Sequence, residues 1–225
     1  MTNSQAIELR AVAPTTAGLT KRLALFFAAG AVLGTTFDGL HANHDILAYL
    51  PNEVAFWKLA WWHCSTRVSP EFGASGLPLG LAPYYMPRRV FASLSSPRGP
   101  IHPSARTAWT QLGMALVGYG LSSLVLFHLQ WPTNIVSVLL GAMFLATWAL
   151  TNGWIITLVA CLVVWVGGSV WEMTLCTLGQ FWYFSPDALG AGYVTHWIVW
   201  LWAGAALGGV DLASVYIAQP VVKQA

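Results

Sequence analysis

Apolar residues dominate six stretches of the chain, roughly Leu23 to Leu40, Val54 to Tyr85, Thr107 to Phe127, Asn134 to Leu150, Trp154 to Leu178 and Tyr193 to Ile217. A helix that crosses a bilayer core needs about 20 predominantly apolar residues. The six stretches meet that requirement, some of them poorly, and the polar connections between them are short. The pattern predicts an all-α membrane protein, a six-transmembrane-helix bundle over residues 23–218. A polar N-terminal tail (1–22) precedes it and a short C-terminal tail (219–225) follows it.

The second stretch is irregular. Pro70, Pro78 and Pro83 interrupt it, together with Arg67 and Glu71. Proline removes a helix hydrogen bond, and a charge at mid-bilayer is expensive unless paired or wetted. Either a helix breaks around residues 63–71 or that piece is an insertion. The first stretch follows Lys21 and Arg22, as a signal peptide's apolar region would, but it starts late and lacks a clear small-residue cleavage site. Asp38 and His41 close it, so it reads as the first helix.

Composition agrees with lipid as the main solvent. Of 225 residues, 56% are hydrophobic and 8% charged, with a mean hydropathy of +0.61, whereas a soluble domain carries charge on about a quarter of its residues. Arg10, Lys21, Arg22, Arg88, Arg89, Arg98, Arg106 and Lys223 all fall on one side of a six-span topology. The positive-inside rule then makes both termini and the long loop after the second helix cytoplasmic. The net charge of +2 and the absence of a basic stripe exclude a nucleic-acid partner. Cys64, Cys161 and Cys176 form neither a CxxC pair nor an even set, so no zinc knuckle or disulfide framework is signalled. Trp57, Trp61, Trp62, Trp131, Trp182, Trp197, Trp200 and Trp202 mostly stand near span ends and read as interfacial belts.

Three carboxylates need an account. Glu172 lies deep in the fifth helix with no basic residue one turn away. It is either a neutral group bonded across the bundle or a ligand-contacting, proton-handling one. Asp38 and His41, three residues apart at the end of the first helix, could share a metal and serve a small intramembrane enzyme acting on a lipid or isoprenoid. Nothing else such an enzyme needs is visible, since no HxxxH pair, G-x-S-x-G or phosphate loop occurs. Asp187 belongs to Ser185-Pro186-Asp187, a turn in which Pro186 ends the fifth helix and the Ser and Asp side chains satisfy freed backbone groups. Glycine pairs at Gly30/Gly34, Gly76/Gly80 and Gly204/Gly208 suit close helix packing.

Two separated segments resemble one known family. LPNEVAFWKLAWW (Leu50 to Trp62) resembles the Insig (insulin-induced gene) segment in which Pro, an acidic residue and Val precede Ala-Trp-Trp. GQFWYFSPDALGAGYVTHWIVWLWAG (Gly179 to Gly204) resembles the Gly-x-x-x-Tyr-x-Ser-Pro-Asp segment that leads into that family's last helix. FGASGLPLGL and VGYGLSS resemble further steps in its second and third helices. The resemblance implies a non-enzymatic endoplasmic reticulum membrane protein, or a cell-membrane one in a bacterium, without a cofactor. It would bind a sterol or another lipid such as diacylglycerol between its helices and hold sterol-sensing-domain proteins, as in Scap and hydroxymethylglutaryl-CoA reductase. On that basis a lipid cavity is expected between helices two to five, with Trp61, Gly118, Trp148 and Glu172 in its wall. The chain departs from the family at three places. Thr151-Asn152-Gly153 carries no charge, Gly120-Leu121 replaces an Asn-His step, and HCSTRVS follows Trp62.

Overall fold

The computed structural model describes residues 8–10, 16–49, 55–59, 62–65, 70–77, 104–184, 188–189, 194–217 and 219–221. Within them six α-helices make an all-α body: α1 (Thr16–Asn43), α2 (residues 70–77), α3 (Ala105–Ser123), α4 (Thr133–Thr151), α5 (Ile155–Thr177) and α6 (Ile198–Ile217). Four of them are long and apolar enough to cross a membrane: Gly18–Asn43, Ala105–Leu126, Thr133–Thr151 and Ile155–Thr177. The last helix contributes a shorter apolar stretch, Ile198–Leu212. Large side chains such as Val138 and Leu150 stand 73% and 86% exposed on the outside of the bundle. That arrangement suits lipid, which solvates them without cost, and not water.

The six-span expectation is therefore corrected at two places. The stretch from Val54 does not begin as a helix, because β3 (Ala55–Leu59) turns back on β4 (Trp62–Ser65) as an antiparallel hairpin. Beyond it, residues 70–77 are helical. Of residues 63–71, left open between a helix break and an insertion, 63–65 belong to this hairpin and 70–71 are helical, while 66–69 lie outside the described residues. At the other end, α6 starts at Ile198 and not Tyr193, because β7 (Val194–Thr195) pairs with β6 (Ala188–Leu189).

Helix ends follow local chemistry. Ser104 caps α3, its hydroxyl accepting from the Thr107 N–H at 3.0 Å. Past Ser123 the same helix widens into one π turn, Leu124–His128. Pro132 starts α4. Between α4 and α5 the uncharged Thr151-Asn152-Gly153 makes a tight link. Gly153 takes φ +69°, and Asn152 Oδ1 accepts from the Trp154 N–H at 3.0 Å. The end of α5 corrects the role given to Pro186. The helix stops at Thr177, where Gly179 at φ +73° donates to Cys176 O and Gln180 to Leu175 O, each at 3.0 Å. This is the paired Schellman closure of a helix by a left-handed glycine. Any other residue at Gly179 must adopt that conformation with a Cβ, so Gly179→Ala is expected to cost about 1 kcal/mol of stability, and Gly179→Asn less. Reversible unfolding in mild detergent measures the difference.

The last helix is the centre of the bundle, packing on α3, α4 and α5, with Ile198, Leu201, Ala203 and Leu207 all buried. Small residues permit the approach. A Cβ on Gly208 would lie 2.8 Å from the backbone N of Leu112. Between α1 and α2, Gly30 faces the Phe72 carbonyl and Gly76 the Phe26 carbonyl. The chain ends meet as well, since β1 (Glu8–Arg10) pairs antiparallel with β8 (Gln219–Val221). The two tails thus lie on one side of the bundle, which requires an even number of crossings.

Candidate functional site: a three-helix crevice and two capped carboxyls

On the side away from the termini, a short ribbon closes the bundle. Here β2 (Leu47–Tyr49), which follows α1, pairs antiparallel with β5 (Phe181–Tyr183), which follows α5, in the register Leu47↔Tyr183 and Tyr49↔Phe181. Strand alternation sends Leu47 and Tyr49 of one strand and Phe181 and Tyr183 of the other inward, while Ala48 and Trp182 stay half-buried. Each inward tyrosine finds a buried carboxyl on the helix before its own strand. Tyr49 donates to Asp38 Oδ2 at 3.1 Å, and Tyr183 donates to Glu172 Oε2 at 2.6 Å. The sequence separation is 11 in both, so α1–β2 and α5–β5 are two copies of one device: carboxyl, helix end, turn, tyrosine.

Glu172 has a second donor, the Trp202 indole N–H, at 2.5 Å from Oε1. Burial first, then the Glu172 and Asp38 carboxylates, hold the Tyr183 phenol well above its ordinary pKa, so it remains a donor. His41 is fully buried between Tyr119 and Trp197, with ring centroids 5.3 Å from each. Its Nε2 lies 3.0 Å from Ser122 Oγ, whose own proton goes to Tyr119 O at 2.9 Å. Ser122 is therefore the acceptor and the His41 proton sits on Nε2.

Asp38 and His41 are thus engaged with different elements, Asp38 with the ribbon and His41 with α3. Among the described residues no group of three or more His, Cys, Asp and Glu could hold a metal ion. The metal-dependent enzyme that Asp38 and His41 suggested has no ligand set there. Cys161 and Cys176 are buried, and neither is in a disulfide.

Toward the other side lies a narrow crevice, open to the outside, with a cavity volume of about 20 Å³. Its walls are Gln111, Met114, Ala115 and Gly118 of α3, then Leu140, Met143, Phe144 and Thr147 of α4, then Trp200, Leu201, Gly204 and Leu207 of α6. On every one of the three helices the lining positions recur in steps of three, four or one, which is one helical stripe. Glycine keeps it open at Gly118, where a Cβ would come within 3.2 Å of Leu201 and 3.6 Å of Leu140. The Trp200 ring is fixed as a wall by donating to Ser137 Oγ at 3.0 Å.

Of the residues expected in a lipid cavity, Gly118 lines this crevice. Trp148 faces the α4–α5 link, its indole N–H donating to Trp154 O at 3.0 Å, and Glu172 belongs to the capped carboxyls. Trp61 lies outside the described residues, as do Ser185, Pro186 and Asp187. The crevice is walled by the third, fourth and sixth helices of the bundle. Three tryptophans assigned to interfacial belts have interior tasks instead: Trp197 is fully buried, Trp200 walls the crevice and Trp202 serves Glu172. Tyr49 and Tyr183 went unnoticed, although a carboxylate followed eleven residues later by tyrosine is legible twice in the sequence.

No family model matches the chain, and no curated protein matches it. Two solved structures share its fold: a mycobacterial Insig homologue, MvINS from Mycobacterium vanbaalenii, and a cross-linked MvINS trimer. Each superposes with a TM-score of 0.61 over 86% of this chain and 95% of the other, at 23% sequence identity.

Proposed function

We propose that this chain is a non-enzymatic, Insig-like membrane protein that holds a sterol or another lipid between its helices and acts on sterol or lipid synthesis through membrane partners. The observation that carries the reading is the crevice among α3, α4 and α6: concave, mostly apolar, and kept open by Gly118. Its lining suits an apolar ligand, and at about 20 Å³ it admits one only as the helices part, since that volume holds about one water. The fold shared with MvINS supports the same reading, as do the two Insig-like segments. Partners of the sterol-sensing-domain kind, and residence in the endoplasmic reticulum or a bacterial cell membrane, belong to this proposal. Partner contacts that depend on charge in the α4–α5 link are not part of it, since Asn152 there turns its side chain to the Trp154 N–H and to Asp211.

A ligand that binds only the folded state raises its stability. Gently purified protein is expected to carry a lipid detectable by mass spectrometry. A sterol or diacylglycerol added after delipidation should raise the melting temperature in wild type, and much less in Gly118→Leu, whose side chain fills the crevice. If no member of a sterol, glycerolipid and phospholipid panel shifts melting, the lipid-holding reading is wrong.

A further inference from the structure

Near the end of the bundle where the chain termini meet, one carboxyl is enclosed by amides. Asp211 of α6, Gln111 of α3 and Asn152 of the α4–α5 link are all buried. Gln111 donates from Nε2 to Asp211 Oδ2 at 2.8 Å and to Thr151 Oγ1 at 3.0 Å, which uses both of its N–H bonds. Asn152 also donates to Asp211. Asp211 Oδ1 has no partner, so both donations fall on Oδ2. Thr151 sends its own proton to Thr147 O at 2.6 Å, so it does not serve Gln111 Oε1, which has no partner either.

Two oxygens are thus left over, one on each of two side chains that already share a hydrogen bond. An ionised Asp211 leaves both orphaned, because a carboxylate only accepts and an amide oxygen only accepts. A protonated Asp211 repairs both. Its Oδ2 is then the carbonyl oxygen that takes the two amides, and its Oδ1 is the hydroxyl whose proton Gln111 Oε1 accepts. One proton removes two unmade hydrogen bonds, each expensive to bury. The charges around the group agree. Among the described residues no cation acts on Asp211. On α3 it meets Gln111, while Arg106 of that helix is exposed. The α4–α5 link presents Asn152, which does not titrate, and α5 presents the buried Cys161 thiol. A buried carboxylate without a counter-charge is far costlier than a buried acid.

The pair also holds a mechanical position. Gln111 belongs to the crevice wall on α3. Beside the pair, Gly208 of α6 comes so near α3 that a Cβ there would lie 2.8 Å from the Leu112 N. The two helices therefore meet backbone to backbone where Asp211 and Gln111 join them.

We propose that Asp211 and Gln111 form a closed acid–amide ring, with a neutral Asp211 donating from Oδ1 to Gln111 Oε1, and that this ring is a pH-sensitive latch holding α3 to α6 beside the crevice. Loss of the proton to water breaks one bond of the ring and sets two acceptors against each other. The latched state keeps the proton, while an opened state in which water reaches the carboxyl releases it. Below the ordinary carboxyl range both states are protonated and the latch holds fully. Above it, opening becomes up to about tenfold more frequent per pH unit. This goes beyond the lipid-holding reading and does not depend on it.

The test is amide hydrogen exchange around Gln111 and Asp211 in the full chain in mild detergent, corrected for the intrinsic rate at each pH. Between about pH 5 and about pH 8, wild type is expected to open about tenfold or more faster. Asp211→Asn supplies the same donor and acceptor but does not ionise, so its opening should change by less than about twofold. Asp38 and Glu172 are common to both proteins and drop out of the comparison. An equal rise in both proteins overturns the inference, as does no rise in wild type. A second measurement needs no variant and decides the matter should Asp211→Asn not fold. The carbon-13 resonance of the Asp211 carboxyl in wild type is expected at its protonated position at about pH 7, and an ionised position there overturns the inference.

Discussion

Gly168→Ala is expected to lower the stability of the folded bundle by about 2–4 kcal/mol. The Trp202 indole lies flat on Gly168, so closely that an added Cβ would overlap its ring atoms. One turn farther along α5, Glu172 receives that same indole's N–H. Overpacking a filled interior costs about 1–3 kcal/mol, and displacing the ring also breaks a buried hydrogen bond, of the order of 0.6–1.7 kcal/mol inside a membrane protein. The two costs share one cause, so they separate in a cycle. Trp202→Phe alone should lose the hydrogen bond only, and Gly168→Ala added to it should cost less than it does in wild type. Additive losses, measured by reversible unfolding in mixed micelles, would show that Trp202 moves freely away from the glycine.

Sequence periodicity found most helices because lipid demands long apolar runs, and their length is the signal. Four boundaries fall within a few residues of expectation for that reason: Thr107 against Ala105, Asn134 against Thr133, Leu150 against Thr151, Leu178 against Thr177. The stretch after Val54 failed because a dense run of Trp, Phe and Leu suits a buried strand as well as a helix. The β2–β5 ribbon was invisible for another reason. Its strands are three residues each and join segments on either side of four helices, so no local pattern announces the pairing. The end of α5 was legible but misread: Gly179, and not Pro186, supplies the terminator, since a left-handed glycine closes the exposed carbonyls directly while a proline only forbids continuation. At the site, Gly118 was reachable from its place in an apolar helix. Gln111 was not singled out, although a glutamine within a spanning segment is as demanding of a partner as a carboxylate.

Whether Glu172 is a structural acceptor or a ligand group is decided by substitution at all three members of its cluster. Glu172→Leu removes one acceptor from Tyr183 and one from Trp202, leaving a buried O–H and N–H orphaned, and is expected to cost about 2–3 kcal/mol. Tyr183→Phe and Trp202→Phe each leave a single carboxyl oxygen unpaired and should cost about 1 kcal/mol. The triple variant Glu172→Leu/Tyr183→Phe/Trp202→Phe removes every polar member together. Replacing both sides of a buried hydrogen bond by apolar groups is close to neutral where removing one side is not, so the triple variant should recover most of the stability lost in Glu172→Leu. Lipid response then assigns the role. The ribbon cluster lies toward the far side from the termini, whereas the Gln111 end of the crevice lies toward the termini, so the triple variant should keep the wild-type melting shift with lipid. A recovered fold that no longer responds would make Glu172 a ligand group.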